Sequence, residues 1–190
     1  GSSTPAFYIG GVNQNGRVGL GTASPSEQLE ITGNFRLPVT TASVGVIKLG
    51  SNNYLHNFGT ENTFLGESAG NLTLSGSSNN TGIGFNALIS LTNNGDSNTA
   101  IGHSALSSNT SGFQNTAIGA SALAGNTTGT SNIAIGVGAM QSNVTGGSNI
   151  SIGNSSFGAG SGSNNIAIGS SALDGTTNNS IAIGNNSLGN

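Results

Sequence analysis

Charge is what this chain has least of. Only 5% of its 190 residues are charged, where a soluble domain carries about a quarter. Three residues are basic, Arg17, Arg36 and Lys48, and past Asp96 the single charged side chain is Asp174. Nucleic-acid binding needs cationic side chains to displace phosphate counterions, and docking on an anionic membrane surface needs a basic cluster. Neither is expected here. Cysteine is absent, so there is no disulfide framework and no thiolate metal site. No apolar run approaches the roughly 20 residues that cross a bilayer as a helix. No stretch of about ten residues keeps a 3.6-residue apolar period, and glycine interrupts every candidate, which argues against helix.

What is present is glycine, 33 residues of it, with Asn, Ser and Thr where charged surface residues would stand, and aliphatic residues at fixed intervals. Disordered chains lack recurrent Ile, Leu and Val, so order through regular backbone hydrogen bonding is expected. The chain divides by texture. Residues 1–60 hold all three prolines, every basic residue and both tyrosines, and are expected to form a β-rich connector. Residues 61–190 are a repeat array, the feature that precedes all other fold reasoning.

The repeat is anchored on Asn-x-x-(Ile/Leu)-Gly. The anchor glycines, from Gly66 through Gly84, Gly102, Gly119, Gly136, Gly153 and Gly169 to Gly184, lie 18, 18, 17, 17, 17, 16 and 15 residues apart. Four residues before them stand Asn62, Asn80, Asn98, Asn115, Asn132, Asn149 and Asn165, then Ser180. One before stand Leu65, Ile83, Ile101, Ile118, Ile135, Ile152, Ile168 and Ile183. Three before, Thr63, Thr81, Thr99 and Thr116 give way to Ile133, Ile150, Ile166 and Ile181. Four after stand Gly70, Leu88, Leu106, Leu123, Met140, Phe157, Leu173 and Leu188.

Each unit reads as two short strands, of the types Thr99-Ala100-Ile101 and Ser104-Ala105-Leu106, joined at a glycine that tolerates positive φ. Alternation puts Thr99 and Ile101 on one face and Asn98 and Ala100 on the other. Stacked in register about 4.8 Å apart, the units form a parallel β-roll or β-solenoid of 15–18-residue coils. The expected core is the Ile column with Leu88, Leu106 and Leu123. The Ala column (Ala100, Ala117, Ala134, Ala167, Ala182) is then expected to allow close approach of a neighbouring chain. The Asn column either forms an amide ladder or marks a turn in each unit. The shrinking spacing falls between the second strand and the next Asn, so Ile89–Ser97 should be the most prominent loop, with Asp96 in it as a candidate partner contact.

The units resemble the head repeats of trimeric autotransporter adhesins, which carry Asn-Ser-x-Ala-Ile-Gly motifs. The residues that carry the resemblance are Asn179-Ser180-Ile181-Ala182-Ile183-Gly184, then Asn132-Ile133-Ala134-Ile135-Gly136 and Asn165-Ile166-Ala167-Ile168-Gly169, and it weakens toward Asn62-Thr63-Phe64-Leu65-Gly66. The resemblance implies a left-handed parallel β-roll and a homotrimer; the longer units here exceed the usual length of those repeats. Residues 16–37, with Gly16-Arg17-Val18-Gly19-Leu20-Gly21 followed by Leu29-Glu30-Ile31-Thr32-Gly33-Asn34, are similar to a segment of phage tail fibres and bacterial surface fibres. No leader or membrane anchor is legible, as expected of a middle piece or processed product of a longer fibre.

Little in the chain suggests catalysis. Its two histidines are His56 and His103. His56 has Glu61 and Glu67 nearby but no nucleophile elbow, and a triad needs its base oriented by a carboxylate. His103 shares a variable, outward-reading column with Glu67 and Phe85; Glu67 and His103 would lie about 10 Å apart, two coils away, too far to share a metal. No glycine is followed by the Lys of a phosphate loop, and the calcium-binding nonapeptide repeats need an Asp in every turn. The expectation is no enzyme, cofactor or metal. Three functions remain: an extracellular adhesive fibre that binds a protein or glycan receptor, a structural spacer in a tail fibre or surface filament, and an ice-binding solenoid. The last needs a continuous exposed Thr array, whereas the Thr column here stops at Thr116 and shares a face with the expected Ile core.

Overall fold

The structure is a computed structural model. It describes residues 18–20, 29–31, 46–73, 76–92, 94–158, 160–175 and 177–188. Among these residues every regular element is a strand, and they fall in two compact units, Gly1–Pro38 and Val39–Asn190. In the first, β1 (Val18–Leu20) pairs in parallel with β2 (Leu29–Ile31). The rest of the fibre-like segment at 16–37 lies outside the described residues. The compact units part at Pro38, and the hairpin that precedes the repeats lies in the same sheet as their strands.

That hairpin is β3 (Ile47–Leu49) and β4 (Asn52–His56), antiparallel to each other. It is followed by one three-residue strand per repeat: β5 (Thr63–Leu65), β6 (Thr81–Ile83), β7 (Thr99–Ile101), β8 (Thr116–Ile118), β9 (Ile133–Ile135), β10 (Ile150–Ile152), β11 (Ile166–Ile168) and β12 (Ile181–Ile183). All lie in one ten-stranded sheet in chain order. From β5 onward the pairs are parallel and each column meets itself, Thr99 beside Thr116 and Ala100 beside Ala117. The array is a β-solenoid of 15–18-residue coils, as the anchor spacing predicts.

The second strand expected at Ser104-Ala105-Leu106 is a turn instead. Ser104 and Leu106 both have positive φ, 55° and 51°, so this stretch alternates in the sign of φ and cannot be a regular extended strand. It still bonds between coils: Ser104 N–H donates to Phe85 C=O below at 2.8 Å, and Leu106 N–H to Ala122 C=O above at 3.0 Å. Positive φ penalises β-branched side chains most, and the column of Leu106 contains Gly, Leu, Met and Phe but neither Ile nor Val. The anchor glycines are held more tightly. Gly102 has φ 136°, and a Cβ there would meet Gly119 O of the next coil at 2.5 Å.

The face of each strand that points inward is the opposite of the expected one. The Ile column was the expected core, yet Ile101, Ile118, Ile135, Ile152 and Ile168 each leave 37–38% of their surface in solvent, Ile183 leaves 68%, and Ile83 is half-buried. The alanines Ala100, Ala117, Ala134, Ala167 and Ala182 are the buried members of the same strands. They therefore pack inside the coil and cannot be the surface on which a neighbouring chain approaches. The alternation is as expected but its sign is reversed. A coil of about 17 residues is too thin to hold two Ile from each strand against the Leu column opposite. Ala and Asn fit that space, with Leu88, Leu106, Leu123, Met140 and Phe157 filling the other side, all fully buried. The first coil shows the same volume constraint. Phe64 stands in the Ala column, and room is made by Gly70 and Gly82, where an added Cβ would meet the Phe64 ring at 2.5 and 2.9 Å.

Among its described residues, the Ile89–Ser97 segment is tied to the neighbouring coils, with Thr92 N–H donating to Thr110 O and Ser97 N–H to Ser78 O, and is not a peripheral loop. Leu91 within it is fully buried, occupying the column that Asn109, Asn126 and Asn143 hold in later coils.

Candidate functional site

Three features could bear function: the buried polar spine, the outward face of the sheet, and the end where the hairpin meets the first coil.

The spine is an amide ladder. Each Asn side chain donates Nδ2–H to the Oδ1 of its neighbour one coil below, from Asn80 to Asn62 (3.2 Å) through Asn98, Asn115, Asn132 and Asn149 to Asn165 (3.0 Å onto Asn149). The second Nδ2 proton crosses the coil to a backbone carbonyl, as from Asn115 to Gly129 O at 2.8 Å. The Oδ1 also accepts a backbone N–H, that of Asn132 on Asn115 at 3.0 Å. Seven buried amides are thus satisfied on every side, which turns polar groups that would cost stability alone into a coil-to-coil bond. A shorter ladder of Asn109, Asn126 and Asn143 runs beside it and was not anticipated from the sequence. It ends at Gly160, leaving the buried Asn143 Oδ1 without a partner.

The outward face carries the Ile column beside the Thr/Ile column. It does not stop at the repeats. Leu55 of β4 pairs with Leu65 of β5, and Ile47 of β3 pairs with Leu55 across a bulge. Directly paired residues lie on the same side of a sheet. One aliphatic ridge therefore runs Ile47, Leu55, Leu65, Ile83, Ile101, Ile118, Ile135, Ile152, Ile168, Ile183 over ten strands, a span of roughly 43 Å at the usual strand spacing. The Thr column, Thr63 to Thr116, lies on this outer face and not in a core.

At the hairpin end, His56 is buried and makes two hydrogen bonds, Nε2 with Ala69 O at 2.8 Å and Nδ1 with the N–H of Phe58 at 3.4 Å. A carbonyl only accepts, so Nε2 carries the proton and Nδ1 accepts. The ring packs on Phe64 with centroids 5.0 Å apart. Burial pushes its pKa below 6.5, against the smaller opposing effect of the Ala69 bond. This histidine is committed on both nitrogens and is not poised as a base.

Asp96 is likewise engaged within the chain. Its Oδ1 accepts from the Ser78 N–H at 2.7 Å and its carbonyl from the Gln114 N–H at 2.9 Å, so it ties three coils together. His103 stacks on Phe85 at 5.3 Å and 20° between planes, an exposed pair in the column that begins with Glu67. Among the described residues no three His, Asp or Glu side chains gather where a metal ion could be held, and no helix is long and apolar enough to cross a membrane. No family model, curated protein or solved structure matches this chain.

Proposed function

We propose that this chain is a segment of an extracellular fibre, a homotrimeric rod that acts in adhesion or receptor binding at a cell or host surface and has no catalytic role. The observation that carries this reading is the outward aliphatic ridge. Exposed apolar patches of this extent mark interaction surfaces. Ten residues in one column and eight in the other approach the number a standard interface takes from each partner. Copies of the same chain are the favoured occupant because one column changes from Thr to Ile halfway along the rod while the ridge beside it stays aliphatic. In a parallel assembly about the rod axis Thr99 meets Thr99 and Ile150 meets Ile150; an antiparallel pair would press the Thr row onto the Ile row. The number three comes from the resemblance to adhesin heads. Scarcity of charge and the hydrogen-bonded spine suit a rigid part outside the cell, and a receptor of protein or glycan type would be met by the remaining surface. Beads coated with the chain are expected to attach to a host-cell monolayer. Beads that stay unattached while the chain assembles would leave the role of structural spacer.

A second reading gains from the reversed face. Thr63, Thr81, Thr99 and Thr116 form an outward row, as ice binding requires. The row gives way to Ile over the remaining four coils, and the ridge beside it is continuous, which favours self-association. Thermal hysteresis in a solution of the chain would reverse that preference.

A further inference from the structure

We propose that the cavity where the hairpin meets the first coil binds a single neutral sugar ring, so that this end of the rod is its glycan-binding site. The inference rests on the adhesive reading and gives it a location and a ligand class.

The cavity measures about 230 Å³ and is lined by Asn53, His56, Ser68, Asn71, Leu72 and Ile89, with the Ala69-Gly70 backbone. It exists because the first coil has no coil beneath it. In each later coil the N–H two residues after the anchor glycine bonds downward: Asn86 to Glu67 O at 3.1 Å, Ser104 to Phe85 O at 2.8 Å, Ser121 to His103 O at 2.9 Å. The equivalent group in the first coil is the Ser68 N–H. The hairpin bonds the first coil beside Leu55 and His56 and through Tyr54 O, which accepts from the Gly66 N–H, but no acceptor among the described residues meets the Ser68 N–H. The next downward-facing group, Ala69 C=O, is already closed by His56. What is left beside the cavity is a backbone donor with no partner among the described residues. The amide of Asn53 on β4, which also has no partner among the described residues, supplies two donors and an acceptor.

The remaining wall is aliphatic at Leu72 and Ile89, beside Asn71, whose amide is engaged by Leu91 O and the Thr73 N–H. No charged side chain lines the cavity, so a charged ligand would be desolvated without a counterion. The volume is below that of pockets for drug-sized ligands, which limits the occupant to about one ring. A pyranose meets these conditions: hydroxyl and ring oxygens on its edge for Ser68 and Asn53, and a C–H face for Ile89 and Leu72.

The test is a titration of the full ¹⁵N-labelled chain with the methyl glycosides of glucose, galactose and mannose and with methyl N-acetylglucosaminide, each up to about 100 mM. At least one is expected to move the Ser68 amide and the Asn53 side-chain amide signals saturably. Asn53→Leu, which breaks no side-chain bond among the described residues, should weaken that binding at least tenfold, and Ile89→Glu, on the aliphatic wall, should do the same. Absence of a saturable shift with all four sugars, or equal binding by both variants, overturns the proposal. The titration needs no cell surface. Sugar binding by a chain that attaches to no cells would count against the adhesive reading alone.

Discussion

The ring of His56 donates from Nε2 to the carbonyl of Ala69 at 2.8 Å. One coil further on, the same carbonyl position, Ala87, accepts instead from the Gly70 backbone N–H at 2.8 Å, and Ala105 from Leu88 at 3.1 Å. A side chain thus closes the bond that a missing coil would have made, and the antiparallel hairpin closes the strand itself, with Gly66 N–H donating to Tyr54 O at 2.7 Å. Solenoids need their first unit capped, because its polar face has no neighbour.

This capping makes stability depend on pH. The folded ring resists protonation because burial disfavours its charge, and a proton on Nδ1 would also expel the Phe58 N–H. The unfolded ring titrates near 6.5. Stability should be full above pH 6.5 and fall below it, as the unfolded chain gains a proton the folded chain declines, until the folded ring titrates as well. The fall should not exceed about 1.4 kcal/mol per pH unit for one group. Denaturant melts of the parent and of His56→Gln between pH 5 and 8 check this. The variant should be less stable at pH 8 and lose the part of the slope that sets in below about 6.5; an unchanged slope would place its origin elsewhere.

Leu106 holds φ at 51° inside the core. Leu106→Ile conserves volume, and such swaps ordinarily cost less than about 1.5 kcal/mol. A β-branched residue is strained at positive φ, so the cost here should exceed that, by roughly 1–3 kcal/mol. Leu106→Met, unbranched at Cβ, should stay within the ordinary range. Equal melting of the two variants would contradict the backbone argument.

Asn115 accepts from the Asn132 side chain and backbone and donates to Asn98 and Gly129. Asn115→Asp keeps the shape but turns two donors into acceptors facing acceptors, with a buried charge among them. A loss of about 3–5 kcal/mol is expected, larger than for Asn115→Ala, which leaves neighbours unpaired but buries no charge. A melt of Asn115→Asp within about 1 kcal/mol of the parent would mean that the ladder is not continuous in solution.

The periodicity of the repeats was legible in the sequence, and so was the fold class, because eight units agree at four columns. The in/out sign was not. Hydrophobicity places Ile101 inside and leaves Ala100 for the surface, and alternation is equally well obeyed with the strand turned over. The signal that decides it is volume. The column of Ala100 holds only Ala, Gly or Ser after the first unit, while the column of Thr99 changes freely from Thr to Ile. The one large residue in the restricted column, Phe64, coincides with Gly in the Leu column at 70 and with Gly82 in the next unit, a size compensation written in the residues themselves. The absence of Ile and Val from the column of Leu106, in a chain rich in Ile elsewhere, likewise points to positive φ and against a second strand. The role of His56 was not legible, since it depends on an antiparallel hairpin closing a parallel stack.

The outward ridge as a seam between copies is tested most directly by the mass of the protein in native solution. The parent should scatter as roughly three times the chain mass of 18.5 kDa. Ile118→Asp with Ile135→Asp, both on the ridge and both 37% exposed in the single chain, should return the mass of one chain with its β-rich circular dichroism intact. A parent that scatters at 18.5 kDa, or a double variant that still assembles, would contradict the account.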